Sequence, residues 1–231
     1  MKKLKEFSGT KPSDFVKNKY AFRLFTKYVP DTSSHLLDVG CAGGLFIGQL
    51  QHEGYHHISG SDIVDYGAPE SGWGSVEVKR CDFSLEKLPW PDNHFDAITA
   101  WEVMEHVENP NFFIRELHRV LKPDGFFFIS MPNVFHIMSK LMFLRRGDFP
   151  RWTKTIGHIN VFSHNIFEKA FLHLFRLENE SYALAQLSDG MRGPIFDRIR
   201  FLDKYLPETE AFSRFAIYVL KKIDTHTARM Y

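Results

Sequence analysis

Cysteine is scarce in this chain: Cys41 and Cys81 are the only two among 231 residues. They suggest neither a disulfide framework nor a zinc-binding pattern, so a reducing compartment is expected. Long apolar runs are lacking as well. No stretch is long enough to span a bilayer and the first residues do not read as a signal peptide, so the expected location is cytoplasmic. An excess of one charge is also missing. Lys and Arg number 29 against 28 Asp and Glu, a net +1, which gives no global argument for nucleic acid or a membrane as partner. The basic charge is local: residues 1–28 carry seven lysines and Arg23 against Glu6 and Asp14. That segment reads as a solvated amphipathic helix, with an acidic or lipid surface as the alternative. There is no internal repeat or low-complexity tract.

Apolar residues are plentiful. A hydrophobic content of 44% supports a full core, and this length suits one α/β domain over 1–231, with 1–35 as an N-terminal helical cap. The chain is organised around residues 36–46, Leu-Leu-Asp-Val-Gly-Cys-Ala-Gly-Gly-Leu-Phe. Leu36, Leu37 and Val39 suit a buried parallel strand. Gly40, Gly43 and Gly44 permit steep dihedrals and close approach of a ligand. Ile47 and Leu50 continue a helical face, whose first N–H groups form an anion site. A dinucleotide pyrophosphate would fit such a turn, but Asp38 would repel it. A ligand carrying both an ammonium and a carboxylate suits that acid better.

Further strands follow in order. Residues 57–63 read as a second strand ending in Asp62, where an acid about 20 residues past a glycine turn holds a ribose diol. Residues 66–75 are an irregular connector, and 76–80 alternate as a third strand. Residues 95–101 are a fourth strand. Asn109 caps a helix with Pro110 at its first position and Phe113, Leu117, Val120 and Leu121 as its buried stripe. Lys122-Pro123-Asp124-Gly125 is a turn, and 126–131 a fifth, wholly apolar strand. Residues 134–146 form an amphipathic segment with Val134, Ile137, Met138, Leu141 and Met142 on one face, either packed on the core or closing over a ligand. Ser163 caps a helix carrying Ile166, Phe167, Ala170, Phe171 and Leu174. A sixth strand covers 176–185, an amphipathic helix 195–202 and a seventh strand 215–220. Peripheral membrane contact by the helix at 195–202 is the alternative to core packing.

The ordered series of the glycine turn, FDAITAWEVMEHV, VLKPDGFFFISMPN and GHINVFS resembles the class I S-adenosylmethionine-dependent methyltransferases. Within them it is most similar to the branch that includes ubiquinone-biosynthesis O-methyltransferases and many sugar and small-molecule methyltransferases. The resemblance covers roughly 36–175. Asp38, Gly40, Ala42 and Gly44 match the family's acid-x-Gly-x-Gly-x-Gly motif, with Ala42 in place of the middle glycine. It implies a Rossmann-like three-layer α/β sandwich whose seven-stranded sheet is mostly parallel, with the last strand antiparallel beside the fifth. It implies S-adenosylmethionine as cofactor, with Asp62 on the ribose, Ile63 on the adenine face, Asp82 on the adenine amino group, and Phe83 and Trp101 beside the cofactor. Residues 134–162 become an acceptor-side insertion.

The expected reaction is O-methylation of a small-molecule, sugar or lipid-linked acceptor. An acceptor hydroxyl must lose a proton, and His106 and His158 are the candidate bases, since an unperturbed histidine titrates near neutrality. Glu102, Glu105 and His106 share one face if a helix starts there. Some relatives place a metal on such a segment; here a divalent metal is open but not expected. Two other readings stand beside this one: a catalytically silent cofactor sensor, and an RNA 2′-O-methyltransferase, for which the near-neutral composition shows no basic groove.

Overall fold

The short apolar runs bounded by turn residues become the central strands of the sheet. The computed structural model describes residues 20–64, 76–187, 198 and 200–224. The expected connector 66–75, most of the basic N-terminal segment and most of the helix expected at 195–202 lie outside the described residues. The elements in chain order are α1 (Tyr20–Tyr28), β1 (Leu36–Val39), α2 (Leu45–His52), β2 (Ile58–Asp62), β3 (Glu77–Arg80), β4 (Phe95–Trp101), a 3-10 turn (Met104–His106), α3 (Pro110–Val120), β5 (Leu121–Pro132), α4 (Ile137–Arg146), α5 (His164–Phe171), β6 (Phe175–Ala185), a second 3-10 turn (Arg200–Tyr205) and β7 (Ser213–Lys222). The seven strands form one sheet in the order β3-β2-β1-β4-β5-β7-β6. β1 to β5 are parallel, and β7 runs antiparallel to both β5 and β6.

Alternation along the strands sends side chains to two separate cores. Leu36, Phe128, Ile217 and Val219 pack with Ala21 and Phe25 of α1 and Phe46, Ile47 and Leu50 of α2. Leu37, Val39, Phe127, Ile129 and Leu220 pack with Phe113 and Leu117 of α3 and Phe167 and Phe171 of α5. Helix, sheet and helix therefore make three layers, as the family resemblance implies. Asn109 caps α3 by accepting a hydrogen bond from the Phe112 N–H at 3.2 Å, with Pro110 at the first position. Ser163 caps α5 through the Ile166 N–H.

Three expectations change. The turn Lys122–Gly125 lies inside β5, as an excursion between the pairs Phe95↔Leu121 and Ala97↔Phe126; Asp124 takes a left-handed φ of 62° there. Leu121 accordingly opens β5 rather than closing the α3 stripe. No helix begins at Glu102, because its N–H is drawn to Ser130 on β5 and its φ is +58°. Most unexpectedly, α4 buries only part of the face read from its sequence. Val134 is buried ahead of the helix and Met138 and Met142 are half-buried, whereas Ile137 and Leu141 point to solvent and the helix's one fully buried side chain is Ser139. Periodicity identifies a stripe but not the direction it faces. Ile166 of α5 is likewise exposed.

Candidate functional site

Parallel strands bring the ends of β1, β2 and β4 and the segments after them to one edge of the sheet, where open sheets bind ligands. At the β1 end, Gly40, Ala42 and Gly44 all take positive φ, at 70°, 44° and 69°. Gly40 is obligatory on packing grounds too, since a Cβ there would overlap Val103 Cγ2. Ala42 adopts the left-handed region without glycine's freedom, a cost of about 1 kcal/mol. Asp62 at the end of β2 explains how: its carboxylate accepts the Ala42 N–H at 2.9 Å and the Val64 N–H at 3.0 Å. Asp38 is buried beneath the turn and accepts a 2.6 Å hydrogen bond from the Thr99 hydroxyl. Loss of water pushes its carboxyl up to about 7 despite that bond, and the neighbouring Asp62 pushes the same way. A buried acid of this kind fits a ligand bringing a cation. Just past β2, Ile63 stands 40% exposed, and Leu45 at the start of α2 is also open, leaving an apolar face at this edge.

The other expected cofactor residues divide. Asp82 uses Oδ1 to accept the Ser84 N–H, and its carbonyl accepts from Leu85 and Glu86, so it also caps a turn. Phe83 stacks on Phe113 at 4.9 Å inside the α3 core. Trp101 packs edge-on against Phe46 at 5.6 Å and is largely buried.

Beyond β4 the chain turns through Met104–His106, and the insertion folds back onto this turn. The Glu105 carbonyl accepts the N–H groups of Ile159 and Asn160. The Asn160 side-chain amide donates to the Met104 and Val107 carbonyls. This staple brings His158 against His106, ring centroids 4.7 Å apart and nearly perpendicular. Asn160 is legible in the sequence only as part of GHINVFS; a lone polar residue between Ile159 and Val161 is its local signal. Trp152 meets His158 at 5.2 Å, Phe149 meets Trp152 at 5.6 Å, and Phe143 of α4 stacks on Phe149 at 5.1 Å. An aromatic series thus leads from the histidine pair to α4.

His106 Nδ1 lies 3.0 Å from the Gly157 carbonyl. A carbonyl only accepts, so Nδ1 carries the proton and Nε2 is left with its lone pair. Packed atoms around the ring lower its pKa, partly offset by that bond. His158 is held down to about 3, chiefly by burial, then by His106 and Arg151. Glu105 is pushed well above the usual carboxyl range by burial, with Glu102 adding to it. His158 Nε2 and Glu105 Oε1 are 3.9 Å apart, too far for a hydrogen bond, and burial opposes the charge each needs for an ion pair. Both Glu105 carboxylate oxygens and His158 Nδ1 lie buried without a hydrogen bond. One ligand atom from each of Glu105, His106 and His158 falls within 4.8 Å of the others. Orphaned oxygen and nitrogen donors in this arrangement fit a divalent cation. Glu102, a candidate by spacing, does not join this group, although its charge reaches Glu105.

A family model described as a methyltransferase domain matches residues 15–179. Among curated proteins, the chain is 32% identical over 125 residues to the ubiquinone biosynthesis O-methyltransferase of Rickettsia felis, covering 51% of this chain and 50% of that protein. It is 29% identical over 104 residues to the protein of that name from Neisseria meningitidis serogroup A, covering 42% and 44%. The chain therefore spans about half the length of the curated relatives it matches. Among solved structures, an S-adenosylmethionine-dependent methyltransferase from Mesorhizobium loti superposes with a TM-score of 0.59 at 15% identity, over 90% of this chain and 100% of that one. The [4+2]-cyclase SpnF superposes at 0.57 with 20% identity, over 88% and 80%. These structural likenesses speak to the fold alone. No helix among the described residues is long and apolar enough to cross a membrane.

Proposed function

Because this chain belongs to the S-adenosylmethionine-dependent methyltransferases, on a domain match over residues 15–179, we propose that it methylates an oxygen of a small hydroxylated acceptor. The observation that carries the reading is His106, whose Nδ1–H is fixed on the Gly157 carbonyl so that Nε2 remains the basic atom at this edge. When bound, the cofactor supplies an electrophilic methyl group; the chain's own work is to hold, align and deprotonate. Asp38 takes the ammonium, Asp62 the ribose hydroxyls, Ile63 the adenine face and Asp82 its amino group, with Gly40, Ala42 and Gly44 leaving the backbone open to close approach. His106 Nε2 accepts the proton of the acceptor hydroxyl. His158, kept neutral by its surroundings, walls the acceptor and keeps a second positive charge away. The name shared by the curated relatives, an O-methyltransferase, agrees with oxygen as the methylated atom.

One observation favours a metal-assisted variant of the same reaction: the unpartnered Glu105 carboxylate beside the two imidazoles. Glu105, His106 and His158 would hold the cation, and a divalent ion there lowers the pKa of a bound oxygen. The Gly157 carbonyl, fixing the far nitrogen of His106, is then the outer-shell partner such ligands need.

The test is His106→Ala. Methyl transfer should fall at least about ten-fold while cofactor affinity by calorimetry stays nearly unchanged, the signature of a group acting on the acceptor. Full activity in that variant removes His106 from the mechanism. Elemental analysis and chelator treatment separate the two variants: a metal-free protein indifferent to chelator disposes of the cation and leaves the base.

A further inference from the structure

Beneath the glycine turn, strand register joins two polar residues that lie far apart in the chain. β1 and β4 pair so that Asp38 stands directly opposite Thr99. Both are buried, at 3% and 2% exposure, and the Thr99 hydroxyl meets Asp38 Oδ1 at 2.6 Å. The same hydroxyl lies 3.5 Å from the Leu37 carbonyl. A hydroxyl has one proton to give and lone pairs with which to accept another. It can therefore serve Asp38 in either charge state. To a carboxylate it donates, and 2.6 Å suits such a charge-assisted bond. From a carboxylic acid it accepts, and its own proton turns to the Leu37 carbonyl.

The groups around Asp38 favour a resident proton. Asp62 at the end of β2 presents a second carboxylate, and the Cys41 thiol in the turn, pushed up by burial, stays neutral. Burial and like charge both oppose ionisation, in keeping with a carboxyl raised to about 7. A cation delivered to Asp38 reverses that balance. We propose that Asp38 and Thr99 are a proton-exchange device for cofactor loading: the carboxyl gives up its proton to solvent as the ligand's ammonium docks, and Thr99 changes from acceptor to donor. No covalent bond changes except the O–H bond that opens at Asp38. Thr99 is a positioning residue, acting through Asp38. The inference rests on Asp38 as the partner of the ammonium. The demethylated product keeps that ammonium, so acid loosens donor and product alike, independently of His106.

The experiment is calorimetry of S-adenosylhomocysteine, the demethylated product, with the full chain in phosphate and in Bis-Tris buffer, whose protonation enthalpies differ. Below about pH 7 the two buffers should report release of about one proton per ligand, and affinity should rise about ten-fold per pH unit up to that point. 5′-Methylthioadenosine, which lacks the amino-acid part, should bind with no such release. Thr99→Val should move the midpoint up by about one pH unit or more, because the ionised carboxyl loses its donor, and Thr99→Ser should restore it. Whatever affinity Asp38→Asn retains should be free of proton release. Circular dichroism establishes that the variants are folded; if the valine variant is not, the buffer comparison on the native chain decides alone. Product binding with equal enthalpies in the two buffers, a native profile in Thr99→Val, or proton release that persists in Asp38→Asn overturns the inference and leaves the cofactor reading intact. Product binding no tighter than that of methylthioadenosine removes Asp38 from the ammonium, and the inference with it.

Discussion

The proposed donor and acceptor ends of the site sit on the same edge of the sheet but are built on opposite terms. At the donor end the polar groups are largely satisfied: Asp62 holds two backbone N–H groups and Asp38 holds the Thr99 hydroxyl. At the acceptor end, Glu105 is buried with neither carboxylate oxygen engaged, and His158 Nδ1 is orphaned. The first arrangement is a mould already set. The second keeps ionisable groups out of water without partners, a state stable only if the surrounding fold imposes it or a ligand relieves it. Preorganisation is thus concentrated where the ligand is always the same molecule.

That contrast can be broken by substitution. Gly40→Ala should do the most damage, about 2–4 kcal/mol of stability from left-handed strain plus overlap with Val103. Chemical denaturation measures it, and Val103→Ala in the same chain should recover the steric share. An Asp38→Asn change should act on the shape of the stability curve. Asp38 is raised from 3.8 to about 7 in the folded state. Its contribution is therefore complete below the unfolded pKa and lost as pH rises through about 7, so the cofactor-free protein should weaken over that window. Asp38→Asn should flatten the decline; an unaltered curve would mean that Asp38 titrates normally. Asp62→Ala should weaken S-adenosylmethionine binding by about 1.5–3 kcal/mol without unfolding the chain, through lost charge-assisted hydrogen bonds. Calorimetry on a folded variant with native affinity would remove the ribose assignment. The smallest free-energy effect is that of His106→Ala, about 1.4 kcal/mol or more in the barrier for a ten-fold loss, and it should leave the donor end untouched. A His106→Ala protein that lost cofactor affinity instead would erase the distinction between the two ends.

The same contrast governs how legible each end is in the amino-acid sequence. Donor-end residues declare themselves locally, in the glycine turn and in Asp62 at its spacing, as does the Asn109-Pro110 start of α3 elsewhere in the fold. The seven strands and the antiparallel β7 follow from apolar runs and family resemblance. The acceptor end depends on contacts between distant segments, such as His106 with Gly157 and Asn160 with Met104. Around Glu102, a helical spacing of acids carries no sign that Ser130 on a neighbouring strand will claim the backbone N–H. In α4 the amphipathic pattern is the same whether its apolar side meets protein or solvent. Phe83 shows the reverse case: a residue adjacent in sequence to a candidate site position turns into the α3 core.

The threading of β7 has a consequence for how the molecule comes into being. Last of the described strands, it is inserted between β5 and β6, and β6 has no other strand neighbour in the described sheet. During synthesis β1 to β5 can pair as they emerge, while β6 must wait for a segment made after it. Two seams then close in one late event, with an apolar edge of β5 left open until it happens. Pulse-labelled hydrogen exchange during refolding should show Phe126–Met131 gaining protection on their β7-facing amides together with β6. Protection of β6 well before β7 would mean that the edge is closed by some other route.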